Sequence, residues 1–182
     1  MVLTNRKTGY GWIAIGLHWI SAATVIGLFL LGLWMVDLDF YSPWYHDAPA
    51  LHKSIGAVLI LLTIFRLGWR LLNPRPEALS SHGAFTRMAA GTAHRLLYLL
   101  IFAIGISGYL ISTAEGHALE VFGWLAIPAY PLGIDNQADI AGLVHYWLAL
   151  ALIGLAAIHA LAALKHHFID KDSTLKRILS AN

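Results

Sequence analysis

The stretch that decides the fold is residues 141–164, AGLVHYWLALALIGLAAIHALAAL. It contains no Asp, Glu, Lys or Arg, and it is followed directly by the basic sequence KHH. A helix of about 24 residues is long enough to cross the hydrocarbon core of a bilayer. His145 and His159 lie fourteen residues apart in it, which on a helix is about 21 Å of rise and about 40° short of four whole turns. Two histidines on nearly one stripe, near the two ends of a membrane helix, predict two sites at different depths.

Three further apolar segments precede this one, at about residues 12–36, 52–72 and 91–113. The chain is 58% hydrophobic and 12% charged, with a mean hydropathy of +0.66, which is far from the average of soluble proteins. The first segment is too long for the apolar core of a signal peptide, so it is interpreted as a retained helix. We therefore predict a single all-α domain over residues 1–182, an integral membrane four-helix bundle of up-down topology.

Charge predicts how this bundle is oriented. Eleven of the twelve basic residues lie at the N-terminus, in or beside the second connection, or at the C-terminus; only Lys53 lies on the other side. The positive-inside rule then places both termini in the cytoplasm. Seven acidic residues fall in the two outer connections: Asp37, Asp39, Asp47, Glu115, Glu120, Asp135 and Asp139.

Histidine is the residue type available for cofactor chemistry, since the chain has ten histidines and no cysteine. His52 and His145 lie at outer helix ends, whereas His18 and His159 lie at a matched inner depth. Each pair comes from two helices, and bundle cofactors are held by side chains from facing helices. We predict two b-type haems with these four residues as iron ligands, bound without covalent attachment because no Cys-x-x-Cys-His motif exists.

Other interpretations compete with this one. A single histidine at a helix end, such as His52 or His94, is as readily an interfacial side chain, whereas His18 and His159 lie inside apolar segments, where an ionisable group indicates function. His94 is the alternative inner ligand. Zinc would need three or four ligands at one depth, often with carboxylate or thiolate. The acidic residues all lie in loops, so haem is preferred.

Four basic side chains near the inner end are candidates for further contacts. Arg66 and Arg70, one turn apart, could bind haem propionates or a quinone head group, or could extend to the interface. His166 and His167 could contact a quinone and exchange protons with it. The alternative is a basic tail on anionic lipid. Small residues within five positions of a proposed ligand would leave gaps for a macrocycle: Gly16, Gly56, Gly142 and Gly154.

Several motifs resemble those of the bacterial cytochrome b561 family, across essentially the whole chain. They are IGLHW at 15–19, LHKSIG at 51–56, Arg66 and Arg70 before Asn73-Pro74, AHRLLY at 93–98, and His145 and His159 followed by HHF at 166–168 and DKDSTL at 170–175. The resemblance implies bis-histidine ligation in the pairs named above. It also implies a multi-pass protein of the bacterial inner membrane that passes electrons between a donor and the ubiquinone pool.

Three functions remain open from the sequence. One is quinone-linked electron transfer from a small reductant, which in at least one branch of the resembled family is superoxide. The second is an electron relay for a partner dehydrogenase or soluble cytochrome, and the third is a structural or haem-storage role. Superoxide is an anion and is steered by positive charge, so the acidic outer loops suit a neutral or basic donor better. The expected partners are lipid, quinone and an electron donor, with no nucleic acid.

Overall fold

Four long apolar helices dominate the structure, a computed structural model that describes residues 2–79 and 81–181. The elements are α1 (Trp12–Met35), α2 (Asp47–Leu72), α3 (Ala84–Ser112), β1 (Leu119–Val121), β2 (Leu125–Ile127), α4 (Gln137–Phe168) and the short α5 (Lys176–Leu179). Each long helix has the length and composition to cross a membrane. The predicted all-α membrane fold with four spans is confirmed.

Three of the helices extend beyond the apolar segments that predicted them. α2 begins at Asp47 rather than residue 52, α3 at Ala84 rather than 91, and α4 runs from Gln137 to Phe168 rather than from 141 to 164. Hydropathy does not include these turns in the apolar segments because each contains a charged residue, such as Asp47, Arg87 and Asp139. Acidic residues in the first turns of α2 and α4 complement the helix dipole. As a consequence, His94 does not begin α3, as the sequence suggested, but lies in its third turn.

Few residues of the four long helices are buried within the protein. In the most apolar window of each long helix, only 17%, 11%, 11% and 6% of the residues are buried, in chain order. Large side chains such as Leu30 and Leu61 are more than half exposed. Contiguous apolar surface of this extent is unfavourable in water and favourable in lipid. The helices are therefore built to face a bilayer.

The connection between α3 and α4 contains a small antiparallel hairpin. Leu119 pairs with Ile127, and Val121 pairs with Leu125. Three residues lie between the strands, and the first two, Phe122 and Gly123, have φ of 52° and 69°. Positive φ at both central positions is typical of a type I′ turn, here closed by the Trp124 amide, which donates to the Val121 carbonyl at 3.1 Å. Glycine adopts such φ values without strain and phenylalanine does not.

The chain divides into two compact units, and each contains part of every long helix. The terminal unit comprises Met1–Ala22, Leu62–Tyr98 and Gly154–Asn182. The hairpin unit comprises Ala23–Leu61 and Leu99–Ile153, and includes both strands. In the terminal unit, the segment before α1 folds back on itself, and the Gly11 amide donates to Asn5 Oδ1 at 3.0 Å. The backbone at Leu3 comes so close to Gly11 that a Cβ there would collide with the Leu3 carbonyl.

Candidate functional site

His52 and His145 face each other within the hairpin unit. His52 lies in the second turn of α2 and His145 in the third turn of α4. Their ring centroids are 6.2 Å apart, with the ring planes inclined at 67°. The structure thus brings together the two residues that the sequence paired by depth.

The tautomer of His145 follows from its hydrogen bonds. Its Nδ1 lies 3.0 Å from the carbonyl oxygen of Ile104 and 3.1 Å from Oγ of Ser107. A carbonyl can only accept, so Nδ1 must carry the proton and donate it. Ser107 Oγ donates to the same Ile104 carbonyl at 3.0 Å, which orients the hydroxyl. Nε2 of His145 is left with its lone pair, as a metal-ligating imidazole requires.

Two glycines on neighbouring helices adjoin these rings. A Cβ at Gly32 of α1 would lie 3.3 Å from Cε1 of His52, and one at Gly108 of α3 would lie 3.2 Å from Cε1 of His145. Both distances are shorter than ordinary van der Waals contact, so any larger residue would press on a ring. The sequence analysis missed both glycines, because neither lies on the helix of the histidine that it adjoins.

Two glycines that the sequence did single out border open space. Gly56 lies one turn after His52 and Gly142 lies three residues before His145, so each shares a helix face with its histidine. A Cβ at either glycine would meet no side chain or neighbouring backbone within 4 Å. The faces that carry the ligand candidates therefore have room beside the rings.

The terminal unit contains the second histidine pair and a third histidine beside it. The ring centroids of His18 in α1 and His159 in α4 are 6.4 Å apart, inclined at 63°. The ring of His94 in α3 lies 5.1 Å from that of His159. The structure therefore groups both the predicted inner pair and its alternative around His159.

Two arginines of α2 lie close to this second pair. Arg66 Nη2 donates to His18 Nδ1 at 2.9 Å. The guanidinium carbons of Arg66 and Arg70 lie 5.6 Å and 5.9 Å from the centroid of the Tyr98 ring, within cation–π range. Both side chains are half-buried, so their positive charge is held at the site rather than in bulk solvent.

The spacing of the two pairs can be compared with that of two imidazoles on opposite sides of one metal. With metal–nitrogen bonds of about 2 Å, and about 1.1 Å from each nitrogen to its ring centre, the centroids would lie about 6.2 Å apart. The observed 6.2 Å and 6.4 Å fit this value, whereas the 5.1 Å between His94 and His159 is too short. The residues present fit a haem between each pair.

A separate polar cluster lies outside the long apolar segments of the terminal unit. His82 Nε2 donates to Asp172 Oδ2 at 2.9 Å, and His166 Nδ1 lies 2.7 Å from Asp170 Oδ2. Burial alone would raise the pKa of Asp172, but hydrogen bonds from the amide and hydroxyl of Thr174, and from His82, outweigh it and lower the pKa to about 2. His82 and Asp172 were not predicted as site residues from the sequence, because acidic residues in loops were expected to lie away from the histidines.

The four further candidates divide between these surroundings. Arg66 and Arg70 lie with Tyr98, and His166 lies in the polar cluster. Nδ1 of His167 is buried without a hydrogen-bond partner among the described residues. A groove of about 300 Å³ in the terminal unit is lined by Tyr10, His82, Arg87, His94, Thr174 and Arg177, among others. A groove of about 340 Å³ in the hairpin unit is lined by Trp44, Asp47, Ser54, Glu120 and Phe122, among others.

Comparison with known proteins agrees with this arrangement. The family model for prokaryotic cytochrome b561 matches residues 9–181. "Cytochrome b561 homolog 2" of Escherichia coli K12 is 53% identical over 98% of this chain and 95% of its own. "Probable superoxide oxidase CybB" of Yersinia pestis is 29% identical over 93% of this chain and 95% of its own. "Cytochrome b562" of Cereibacter sphaeroides is 29% identical over 96% and 98%.

The family model covers almost the entire chain, including both histidine pairs, and the first of these relatives is matched from end to end. The four apolar helices agree with a multi-pass membrane protein of this family. The chain belongs to the prokaryotic cytochrome b561 family, membrane haem proteins of electron transport.

Proposed function

We propose that this chain holds two b-type haems, one between His52 and His145 and one between His18 and His159, and passes electrons between a small donor and the ubiquinone pool. The observation that carries the proposal is the pair of ring spacings, 6.2 Å and 6.4 Å, each suited to one metal between two imidazoles. A haem held by two histidines supplies one-electron transfer and has no open coordination position for oxygen.

The surrounding residues have definable tasks in this proposal. Ile104 and Ser107 hold His145 in the tautomer that presents Nε2. Arg66 and Arg70 offer guanidinium donors whose charge suits carboxylates such as haem propionates. A ligating His18 would have to carry its proton on Nδ1, where Arg66 now donates. Arg66 would therefore leave His18 when the site is filled, which makes it available to a propionate.

Quinone is proposed to bind in the terminal unit, with Arg70, His166 and His167 as hydrogen-bond and proton donors. Histidine can supply a proton near neutral pH, and arginine can hold an oxygen that gains negative charge. The groove of about 300 Å³ supports this position, since it is bordered by His94, whose ring adjoins His159, and by His82, which contacts His166. Its size is at the lower end of ligand pockets.

The donor is proposed to approach the hairpin unit. The groove there is lined by Asp47 and Glu120, and two carboxylates would repel an anion. A neutral or cationic reductant therefore suits this mouth better than superoxide. In this proposal the protein lies in the bacterial inner membrane with both termini in the cytoplasm, following the distribution of its basic residues.

A second candidate function is an electron relay for a partner protein. It is favoured by Trp124, which is 95% exposed beside the hairpin turn, close in sequence to Glu120. Exposed tryptophans are common anchors in protein interfaces. A basic soluble redox protein would be the matching partner.

The ligand assignment is tested by haem content. A pyridine haemochrome assay on purified protein should find two haems per chain. His52→Ala and His145→Ala should lose the same haem, and His18→Ala and His159→Ala should lose the other, as distinguished by their reduced α-bands. His117→Ala, at an exposed site, is the matched control. One haem in the unmodified protein, or loss of a haem in His94→Ala but not in His18→Ala, would overturn the assignment.

The quinone and donor proposals are tested by kinetics at intact haem content. Ubiquinone reduction by the pre-reduced protein should slow in Arg70→Ala and in His167→Ala, and unchanged rates in both would move the quinone site elsewhere. Reduction by superoxide, by a neutral dithiol or quinol, and by a basic cytochrome should be compared side by side. Fastest reduction by superoxide would refute the argument from Asp47 and Glu120.

A further inference from the structure

The proposed electron transfer uses only His166 of the polar cluster, as a quinone contact, yet the whole cluster has the form of a metal site. It joins three parts of the chain that are distant in sequence. His82 comes from the connection between α2 and α3, His166 from the last turn of α4, and Asp172 from the tail beyond it. All three side chains are largely buried, with 16%, 17% and 8% of their surface exposed.

The donor atoms lie close enough to share one ion. One ligand atom from each of His82, His166 and Asp172 lies within 4.8 Å of the other two. The carboxylate oxygen Oδ2 of Asp172 is 2.9 Å from His82 Nε2 and 3.4 Å from His166 Nδ1. Ligands about 2.0–2.1 Å from a tetrahedral ion are about 3.3 Å apart. Shifts of about an ångström would therefore complete the geometry.

Neighbouring residues provide the support that metal ligands need. The backbone amide of Thr174 donates to Asp172 Oδ1 at 2.8 Å, which fixes the carboxylate and leaves Oδ2 directed toward the histidines. Asp170 Oδ2 lies 2.7 Å from His166 Nδ1, and Lys165 donates to both of its oxygens at 2.9 Å and 2.7 Å. Asp170 or a water molecule could complete a fourth position. A hydrogen-bonded outer partner such as the Thr174 amide orients a ligand and raises metal affinity.

We propose that His82, His166 and Asp172 form a binding site for one divalent transition-metal ion, with zinc as the best match. Two imidazoles and a carboxylate are the ligand set of many zinc sites, whereas calcium and magnesium prefer oxygen ligands alone. The ion would fasten the tail to the connection between α2 and α3. This proposal depends on the geometry of the cluster; it uses Nδ1 of His166 and leaves only Nε2 for the quinone contact proposed above.

The site is tested with the haem-loaded protein in detergent, after exchangeable divalent ions have been removed with EDTA and dialysis. A calorimetric titration with zinc alone should show one saturable site per chain. Elemental analysis after desalting should then find one zinc ion per chain. Asp172→Asn and His82→Gln each alter a ligand. Each should therefore lower zinc affinity at least as much as the loss of an outer hydrogen-bond partner does in other metal sites, roughly 10–100-fold. His117→Gln, an exposed histidine in the hairpin unit, should bind zinc as the unmodified protein does.

A second measurement separates a ligand role from a role in folding. Zinc should slow amide exchange of residues 82–84 and 170–175 in the unmodified protein, but not in His82→Gln, whose haem spectrum should be unchanged. Absence of a saturable site, or equal affinity in the unmodified protein and both variants, would show that the cluster is an ion-pair network and would overturn the proposal. Haem content is measured throughout, so failure here is distinct from failure of the haem assignment.

Discussion

Replacing Gly108 with alanine should loosen the haem that we propose between His52 and His145. The new Cβ would lie 3.2 Å from Cε1 and 3.4 Å from Nδ1 of His145, and ordinary contact begins at 3.4 Å. The ring must therefore retreat from α3 by a few tenths of an ångström. Ile104 and Ser107, which hold Nδ1 at 3.0 Å and 3.1 Å, lie on the same helix. This displacement of the ring would lengthen both hydrogen bonds and so weaken them.

The size of the effect follows from the role of those bonds. Loss of an outer hydrogen-bond partner typically lowers metal affinity by about 10–100-fold, equivalent to about 1.4–2.7 kcal/mol. Alanine also favours helix over glycine by up to about 1 kcal/mol, which raises general stability and opposes the effect. Gly27→Ala, at an exposed position of α1, isolates that second contribution, since a Cβ there meets nothing within 4 Å outside its own helical turn.

The assay is the rate at which haem leaves the purified protein for an excess of a haem-scavenging apoprotein. Gly108→Ala should release one of two haems about 10–100-fold faster, if the change in affinity falls on dissociation. Gly32→Ala should have a smaller effect, because its Cβ would lie 3.3 Å from Cε1 of His52, whose Nδ1 has no hydrogen bond to lose among the described residues. Equal haem release from Gly108→Ala and Gly27→Ala would refute the reasoning.

Three further predictions concern the fold. Phe122→Asn should raise the midpoint of thermal unfolding, because asparagine adopts the φ of 52° at this turn position with about 1 kcal/mol less strain than phenylalanine. A lower midpoint would contradict the presence of strain. Tyr109→Phe removes a hydroxyl that donates to the Pro128 carbonyl at 2.7 Å and accepts from the Tyr130 amide at 2.9 Å, so amide exchange at residues 129–132 should accelerate; unchanged exchange would show that other contacts order this loop. Reporter fusions after Asp135 should read as outside and those after Lys176 as inside, and an outside signal at Lys176 would break the predicted topology.

The existence of the four helices could be predicted because a run of apolar residues of membrane length has few alternatives. Their ends could not be predicted from hydropathy. The first turns of α2 and α4 contain Asp47 and Asp139, which resemble loop residues by polarity but stabilise a helix start. The predicted position of His94, at the start of α3, was wrong for the same reason.

The histidine pairs were predictable to the extent that depth decides them. Rise per residue fixes how far a side chain lies along a helix, so His52 and His145 could be matched without knowing which helices are neighbours. The side chains around the rings depend on how the helices are rotated and packed. Ser107, Gly32 and Gly108 therefore gave no signal in the sequence, although the structure places all three beside a ligand candidate.

The cluster of His82, His166 and Asp172 shows a different limit. Each member is unremarkable in the sequence, and the path of the tail beyond α4 decides that they meet. That path is fixed by distant contacts, including the donation from Trp19 Nε1 to the Ile178 carbonyl at 2.8 Å. Contacts across about 160 residues of sequence have no local pattern from which to predict them.

The contribution of α4 to both ring pairs has a consequence for the order in which the protein can be assembled. Ribosomes deliver the chain from its N-terminus, so His18 and His52 enter the membrane well before their partners on α4. Neither pair has both of its members until this last long helix is inserted. A nascent chain that ends before Gln137 would therefore be an anchored helical protein that lacks one member of each ring pair. In the proposed assignment, each haem can be held by two histidines only after α4 has been made.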